Sequence, residues 1–386
     1  MWRWVLFVWG LCLLGLSIFL AGLRRHEFSY QQIYLSANWE GHYNLYVMEA
    51  DGHGQQALRP RSINLNSKPQ ISPHGRWLSY IASYEAGHHL FIMRPNSQER
   101  QYLDEVQLPF LGASWSPDGQ YLAYVGRGST QIHHPVLRVI HWPSQTIHDL
   151  SLHGNVASLA AWSPDGRYLC YNAWGDLACV EREGEQFSLP QQKLNLGMMS
   201  SEPVWEPHGR GLMFISEHQG GSQLFYYDWQ AQVLEQWTHD TTWKLHPLYS
   251  PDGRWLSYEA DGGVYSMRPG TGQSPRLLSP PGQTSLSASW SADSRTVLFT
   301  SKVQEGTGAT VAQSHQKIEY VYALYHNSPE GDELQRLTYA KRSALDPTWG
   351  HPQHLAFSLE HSLLMAGLCL VGAFWPKPFQ WAGFRR

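Results

Sequence analysis

Residues 162–171 read WSPDGRYLCY, and the same phrase returns along the chain. It stands as ISPHGRWLSY at 71–80, WSPDGQYLAY at 115–124, WEPHGRGLMF at 205–214 and YSPDGRWLSY at 249–258. WSADSRTVLF at 290–299 and a worn WGHPQHLAF at 349–357 complete the series. Five intervals between successive starts fall between 41 and 47 residues, and the last is 59. Fixed-period self-similarity of this length marks a repeat architecture. Within the phrase, a strand ends on the aromatic, Pro164 sets a turn, Gly166 permits a tight bend, and the alternating residues from Arg167 to Asn172 begin a second strand. A third strand follows, as in NLYVM from Asn44, HLFIM from His89, QLFYY from Gln223 and GVYSM from Gly263. A short fourth strand closes each unit.

Four strands in about 44 residues is the period of a propeller blade, in which twisted sheets stack radially about an axis. The expected fold is therefore all-β, a seven-bladed β-propeller of four-stranded antiparallel blades, with eight blades the alternative. Six units begin at residues 71, 115, 162, 205, 249 and 290. Residues 32–59 hold only the later strands of a further unit, and DPTW at 346–349 supplies its missing first strand from the other end. The eight-blade alternative rests on residues 354–360, which read as one more second strand. On this fold Trp115, Trp162, Trp205, Tyr249, Trp290 and Trp349 are structural wedges at the blade seams. Asp118, Gly119, Asp165, Gly166, Asp252 and Gly253 are turn residues, because an aspartate beside glycine accepts hydrogen bonds from turn backbone. The longest interval inserts residues 300–317, and a smaller insertion spans 126–135. Both read as surface loops and as functional candidates.

Composition sets the outer limits. The 386 residues carry 28 Lys and Arg against 32 Asp and Glu, a net charge of -4, so no nucleic-acid partner is expected. Residues 5–23 are uncharged and apolar, and at about 1.5 Å per residue they reach roughly 28 Å, the thickness of a bilayer core. A retained transmembrane anchor over 1–24 is the preferred reading, and a cleaved signal peptide the competing one. Arg3 and the amino terminus on one side balance Arg24 and Arg25 on the other, so charge leaves the orientation open. The expected order is anchor 1–24, linker 25–31, propeller 32–360, and an apolar, aromatic tail 361–386 packed on the propeller or lying at the membrane interface. Of four cysteines, Cys170 and Cys179 fall opposite each other if Trp174 and Gly175 form a two-residue hairpin loop, which makes them a candidate disulfide. Cys12 and Cys369 have no evident partner. The 20 histidines include the pairs His88 and His89, and His133 and His134, and a terminal group at 351, 354 and 361; none has a metal-ligand spacing. No cofactor and no metal are expected.

The phrase WSPDGxYLAY, followed by a LYVM-like strand and an Asp-Gly pair, resembles the TolB-like propeller repeat, also described as WD40-like or PD40. The resemblance covers about residues 32–359. It implies a periplasmic or extracellular propeller held on the cytoplasmic membrane as a single-pass protein, binding an envelope protein or polymer. The chain differs from TolB in having no room for the small domain that precedes that propeller. The repeat also resembles the propeller of prolyl oligopeptidase-like enzymes, but no GxSxG elbow occurs and fewer than 30 residues follow the last repeat. The sequence therefore favours a noncatalytic protein-binding scaffold and leaves enzyme status open with the balance against it. A glycan or small-ligand sensor is the first alternative and an enzyme using the central channel the second. A channel lined with acidic and aromatic side chains would favour a ligand, and a broad apolar face a protein partner.

Overall fold

The computed structural model describes residues 32–350, except 59–63, 85–86, 96–98, 128–134, 151–159, 174, 189–191, 195, 219, 306–318 and 340–342. The expected anchor, linker and tail, the strand at 354–360 and the terminal histidines lie outside the described residues, as do His133 and His134. Among the described residues no helix is long and apolar enough to cross a membrane.

The described strands form repeated four-stranded antiparallel units, an all-β architecture of propeller type. The first strands of six successive units are Asn64–Ile71, Ala113–Trp115, Ala161–Trp162, Ser200–Trp205, Lys244–Tyr249 and Ser285–Trp290. Each is followed by three antiparallel neighbours, the third unit carrying two short strands, Gln186–Phe187 and Gln192–Lys193, on its third strand. The first two units are joined edge to edge where Val106 pairs with Gly126. In the seventh, the strand Ala344–Trp349 pairs antiparallel with Gln32–Ala37, which pairs with Asn44–Glu49 and then Gln56–Ala57. The two ends of the described chain thus share one sheet. The first strands touch in cyclic order from the first unit to the seventh and back to the first.

The repeated phrase makes a hydrogen-bonded turn that explains its composition. At 163–168 the Ser163 N–H donates to Tyr168 O at 2.8 Å, and the Tyr168 N–H returns to Ser163 Oγ at 2.8 Å. The Gly166 N–H donates to Ser163 O with Gly166 at φ 69°, a left-handed conformation that costs glycine little. Asp165 accepts from the Ser163 hydroxyl and, at 3.0 Å, from the Arg167 N–H. Asp118, Asp252 and Asp293 repeat the arrangement with Ser116, Ser250 and Ser291. In the fourth unit Glu206 replaces the serine, and its carboxylate accepts from the main-chain N–H groups of His208 and Arg210.

Alternation along the strands sends side chains to both faces of every sheet, so the core is divided into slabs between neighbours rather than gathered in one centre. In the first unit Leu78, Tyr80 and Ala82 pack against Tyr34, Leu45 and Val47 of the seventh, while Ile81, Leu90 and Ile92 pack against Leu122, Tyr124 and Ile140 of the second. Seven such clusters occur, one per neighbouring pair. Stacked cross-strand rings recur at one place in the units, as Tyr80 on Phe91, Phe214 on Phe225, Tyr258 on Tyr265 and Phe299 on Tyr325. One difference from the sequence reading is local: strands Val297–Glu305 and Glu319–Asn327 stay paired out to Glu305 opposite Glu319, so residues 300–305 belong to the sheet. Val303 and Val321 in this extension are buried against the fifth-unit slab, which supplies the apolar contact that holds the longer hairpin.

The turn carboxyls make stability depend on acid. Burial alone would raise the pKa of Asp118, Asp165 and Asp252, but hydrogen bonds from the neighbouring serine and main-chain N–H groups outweigh it, and all three lie below the ordinary carboxylate range. Their contribution is complete above the unfolded value of about 3.9 and is lost as pH falls through the folded values. The melting temperature, followed by circular dichroism, should therefore drop below about pH 4. An Asp118→Asn/Asp165→Asn/Asp252→Asn variant should melt lower at pH 7 but show a flatter decline in acid.

Candidate functional site

Trp162, Trp205, Tyr249, Trp290 and Trp349 are buried, and Trp115 is half-buried. Three of the indoles donate across to the first strand of the preceding unit: Trp115 Nε1 to Gln70 O at 3.2 Å, Trp162 Nε1 to Ser114 O at 3.3 Å, and Trp290 Nε1 to Leu248 O at 3.1 Å. Asp118 also receives Arg182 of the third unit at 2.9 Å, and that guanidinium lies over the rings of Tyr121 and Trp162. Gly119, Gly166 and Gly253 all have positive φ, between 65° and 70°. Cys170 pairs with Cys179 in the second and third strands of the third unit, and their sulfurs are bonded. His88 Nδ1 meets Ser83 Oγ at 2.7 Å, and His89 packs on Tyr84 and Tyr102. Among the described residues no group of three or more His, Cys, Asp or Glu is placed to hold a metal ion.

A different set of residues converges. Five first strands contain an irregularity in register, and at each one a residue that is not glycine adopts a left-handed backbone: Lys68, Glu202, His246, Ser287 and Asp346, with φ between 48° and 60°. Each stands three residues before the seam residue of its unit, and in four cases the next residue is proline. Proline has no N–H to give to the ladder, which suits a position where pairing is interrupted. The second unit places Gly112, φ 80°, at the same position, where an added Cβ would meet the Lys68 Cβ at 3.1 Å. A left-handed non-glycine residue costs on the order of 1 kcal/mol, and such strain concentrates where side chains are aimed for function.

The aimed side chains form one continuous polar arc. Lys68 Nζ pairs with Asp346 Oδ1 at 2.9 Å, linking the first and seventh units. The Ser287 hydroxyl donates to Asp346 at 3.2 Å, and the Ser287 N–H donates to Glu259 Oε1 at 2.7 Å. The other oxygen of Glu259 lies 3.2 Å from His246 Nδ1, and the His246 N–H donates to a Glu202 carboxylate oxygen. Five successive units are connected in this way, through their first strands and, in the fifth unit, through Glu259 of the second strand. The Glu259 side chain is only 11% exposed, whereas that of His246 is 63% exposed. His246 nevertheless has enough protein around it for desolvation to count against its charge. Its pKa is raised, first by the hydrogen bond to Glu259, against burial, and then by the charges of Glu259 and Glu202, with Lys68 opposing. Burial raises the Glu202 carboxyl above its ordinary range despite the nearby His246.

Apolar groups surround the approach. In an antiparallel unit the first and third strands begin at the same end, and at that end Met199, Trp243, Leu245, Tyr320 and Tyr339 are all exposed. In the fourth and fifth units the arc lies two residues into the first strand, about 7 Å from its start. Sequence reading fixed on the repeated phrase itself and missed the arc. The signal was present as a proline two positions before four of the repeated phrases, in Lys-Pro, Glu-Pro, His-Pro and Asp-Pro.

No family model matches the chain. Solved structures with a similar fold include TolB from Acinetobacter baumannii, at 15% identity and TM-score 0.55 over 84% of this chain and 67% of that one. An oligogalacturonate lyase from Vibrio parahaemolyticus matches at 14% identity and TM-score 0.52, over 69% of this chain and 82% of the lyase. A Mycobacterium tuberculosis puromycin-hydrolyzing peptidase matches at 12% identity and TM-score 0.54, over 78% of this chain, which spans only half of the peptidase. These likenesses establish a distant resemblance of fold to TolB and to propellers in enzymes. They also overturn one expectation: the balance against an enzyme rested on the lack of room for a catalytic domain. A lyase matched over most of its own length has the same kind of fold, so that ground does not hold.

The disulfide gives a separate test. Nonreducing peptide mass spectrometry should recover residues 170 and 179 joined, and reduction should destabilise the protein by roughly 2–3 kcal/mol in denaturant titration, the loop-closure value for so short a loop. Recovery of free thiols at both positions from oxidised preparations would remove the pair.

Proposed function

We propose that this chain is an extracytoplasmic seven-bladed β-propeller whose central channel binds a glycan or other polyhydroxylated small ligand. The observation that carries this reading is the arc Lys68–Asp346–Ser287–Glu259–His246–Glu202. Carboxylates, an imidazole, an ammonium and a hydroxyl converge, five of the six residues from first strands bent out of regular pairing and Glu259 from a second strand. Such a set exchanges hydrogen bonds with hydroxyls in either direction, and exposed Trp243 and Leu245 offer apolar surface for the carbon faces of a sugar. The cyclic contact of the first strands supports seven blades. The Cys170–Cys179 bond supports an oxidising compartment, where such bonds persist. Residues 1–24 are the proposed anchor in the cytoplasmic membrane.

A protein partner is a second reading, favoured by the exposed Met199, Trp243, Tyr320 and Tyr339 at one end of the units. The two readings separate experimentally. A glycan array followed by calorimetry should find a saccharide whose affinity falls at least tenfold in Asp346→Asn and His246→Ala. Proximity crosslinking in intact membranes should recover a reproducible protein neighbour only on the second reading. Degradation of the propeller by protease added to spheroplasts is expected, and its protection would refute the extracytoplasmic placement.

A further inference from the structure

His246 and Glu202 are adjacent in the arc and chemically unlike. Glu259, buried behind His246, holds Nδ1 at 3.2 Å and leaves Nε2 with no hydrogen-bond partner among the described residues. A carboxylate on one ring nitrogen fixes the neutral tautomer with its proton on that side and makes the opposite nitrogen the basic one. Glu202 accepts the His246 N–H through one oxygen, which leaves the other to carry a proton. Burial raises this carboxyl above its ordinary range despite the nearby His246, which is the direction a general acid needs. The groups facing His246 are Glu259 from the second strand of its own unit, Glu202 from the neighbouring fourth unit and, at longer range, Lys68 from the first. An imidazole with one ring nitrogen held by Glu259 and the other without a partner among the described residues thus stands beside a carboxyl with one oxygen left over, two groups that can serve as base and acid.

We propose that the channel site hydrolyses a glycosidic bond, with His246 as the general base, Glu202 as the general acid and Glu259 as the residue that positions His246. This deepens the ligand reading above and rests on it. Water is the co-reactant. Its proton passes to His246 Nε2 as its oxygen bonds to the anomeric carbon. The bond from that carbon to the leaving oxygen breaks, and the leaving oxygen takes the proton from Glu202. The imidazolium, balanced by Glu259, then returns its proton through solvent to the Glu202 carboxylate.

The test uses the full-length protein and every oligosaccharide that calorimetry shows it to bind, among neutral, amino and uronic oligomers, with new reducing ends as the readout. Cleavage should occur. His246→Gln and Glu202→Gln should each reduce its rate at saturating oligosaccharide at least about 100-fold, the usual scale of a general acid or base. Glu259→Gln should move the acid limb of the pH profile to lower pH, a change that a purely structural role would not produce. Independently of any ligand, 15N-detected NMR should show neutral His246 protonated on Nδ1 and titrating above the free imidazole, with the midpoint lowered by Glu259→Gln. Binding without any new reducing ends would overturn the hydrolysis and leave the ligand reading standing. Failure to bind any saccharide would overturn both. Neutral His246 protonated on Nε2 would remove the proposed base.

Discussion

The closing sheet is the constraint on which everything else depends. Four strands alone make a unit whose two faces are both apolar, and each face needs a neighbour. The first and seventh units obtain theirs from one another, because Ala344–Trp349 pairs with Gln32–Ala37 and brings Tyr34, Leu45 and Val47 against Leu78 and Tyr80. Without that pairing the slab between these units would open to water. Burial of apolar side chains is worth roughly 1.5–3 kcal/mol for each large residue, so several such residues exceed the few kcal/mol by which domains are usually stable. Closure is therefore a condition of the fold rather than an addition to it.

Placing the core between units has a second effect. Every first strand is bonded on one side only and has its other side toward its counterparts in the ring. Register along it can be broken without opening a slab, and five first strands are broken at one equivalent position. The sheet supplies rigidity, and the irregularity supplies direction: Lys68 meets Asp346, and His246 meets Glu259, from backbones that regular pairing would not produce. The strain at these positions is small beside the burial in the slabs, so the frame tolerates it.

The sequence made the frame legible because turns and seams have strong local signatures. The Ser-Pro-Asp-Gly turn uses its serine, aspartate and glycine in separate hydrogen bonds and its proline to preset the bend, and an aromatic usually precedes it, so both recur as visible letters. The pairing of 346–349 with the N-terminal strand could be inferred from one unit lacking a strand at one end of the chain. Convergence across units was not legible in the same way. Lys68, Glu202, His246, Ser287 and Asp346 differ in chemistry, so they do not read as a repeat, and Glu259 comes from a second strand where the equivalent positions are Ile81, Val125, Asn172, Ile215 and Thr300, none of them charged. Only the proline that follows four of them left a trace. The added length of the strand to Glu305 was likewise hidden, since its polar residues read as loop when their partners beyond residue 318 are not known.

The left-handed positions in the first strands have one further consequence. Backbone conformation there is dictated by the interrupted ladder and the following proline, while the side chain takes no part in the slabs that hold the units together. The side chain can be exchanged while the scaffold stays as it is. The irregular first strands then behave as a set of sockets, one in each of five units, each able to carry a different side chain. A library randomised at those five positions alone would explore different recognition properties on one unchanged architecture.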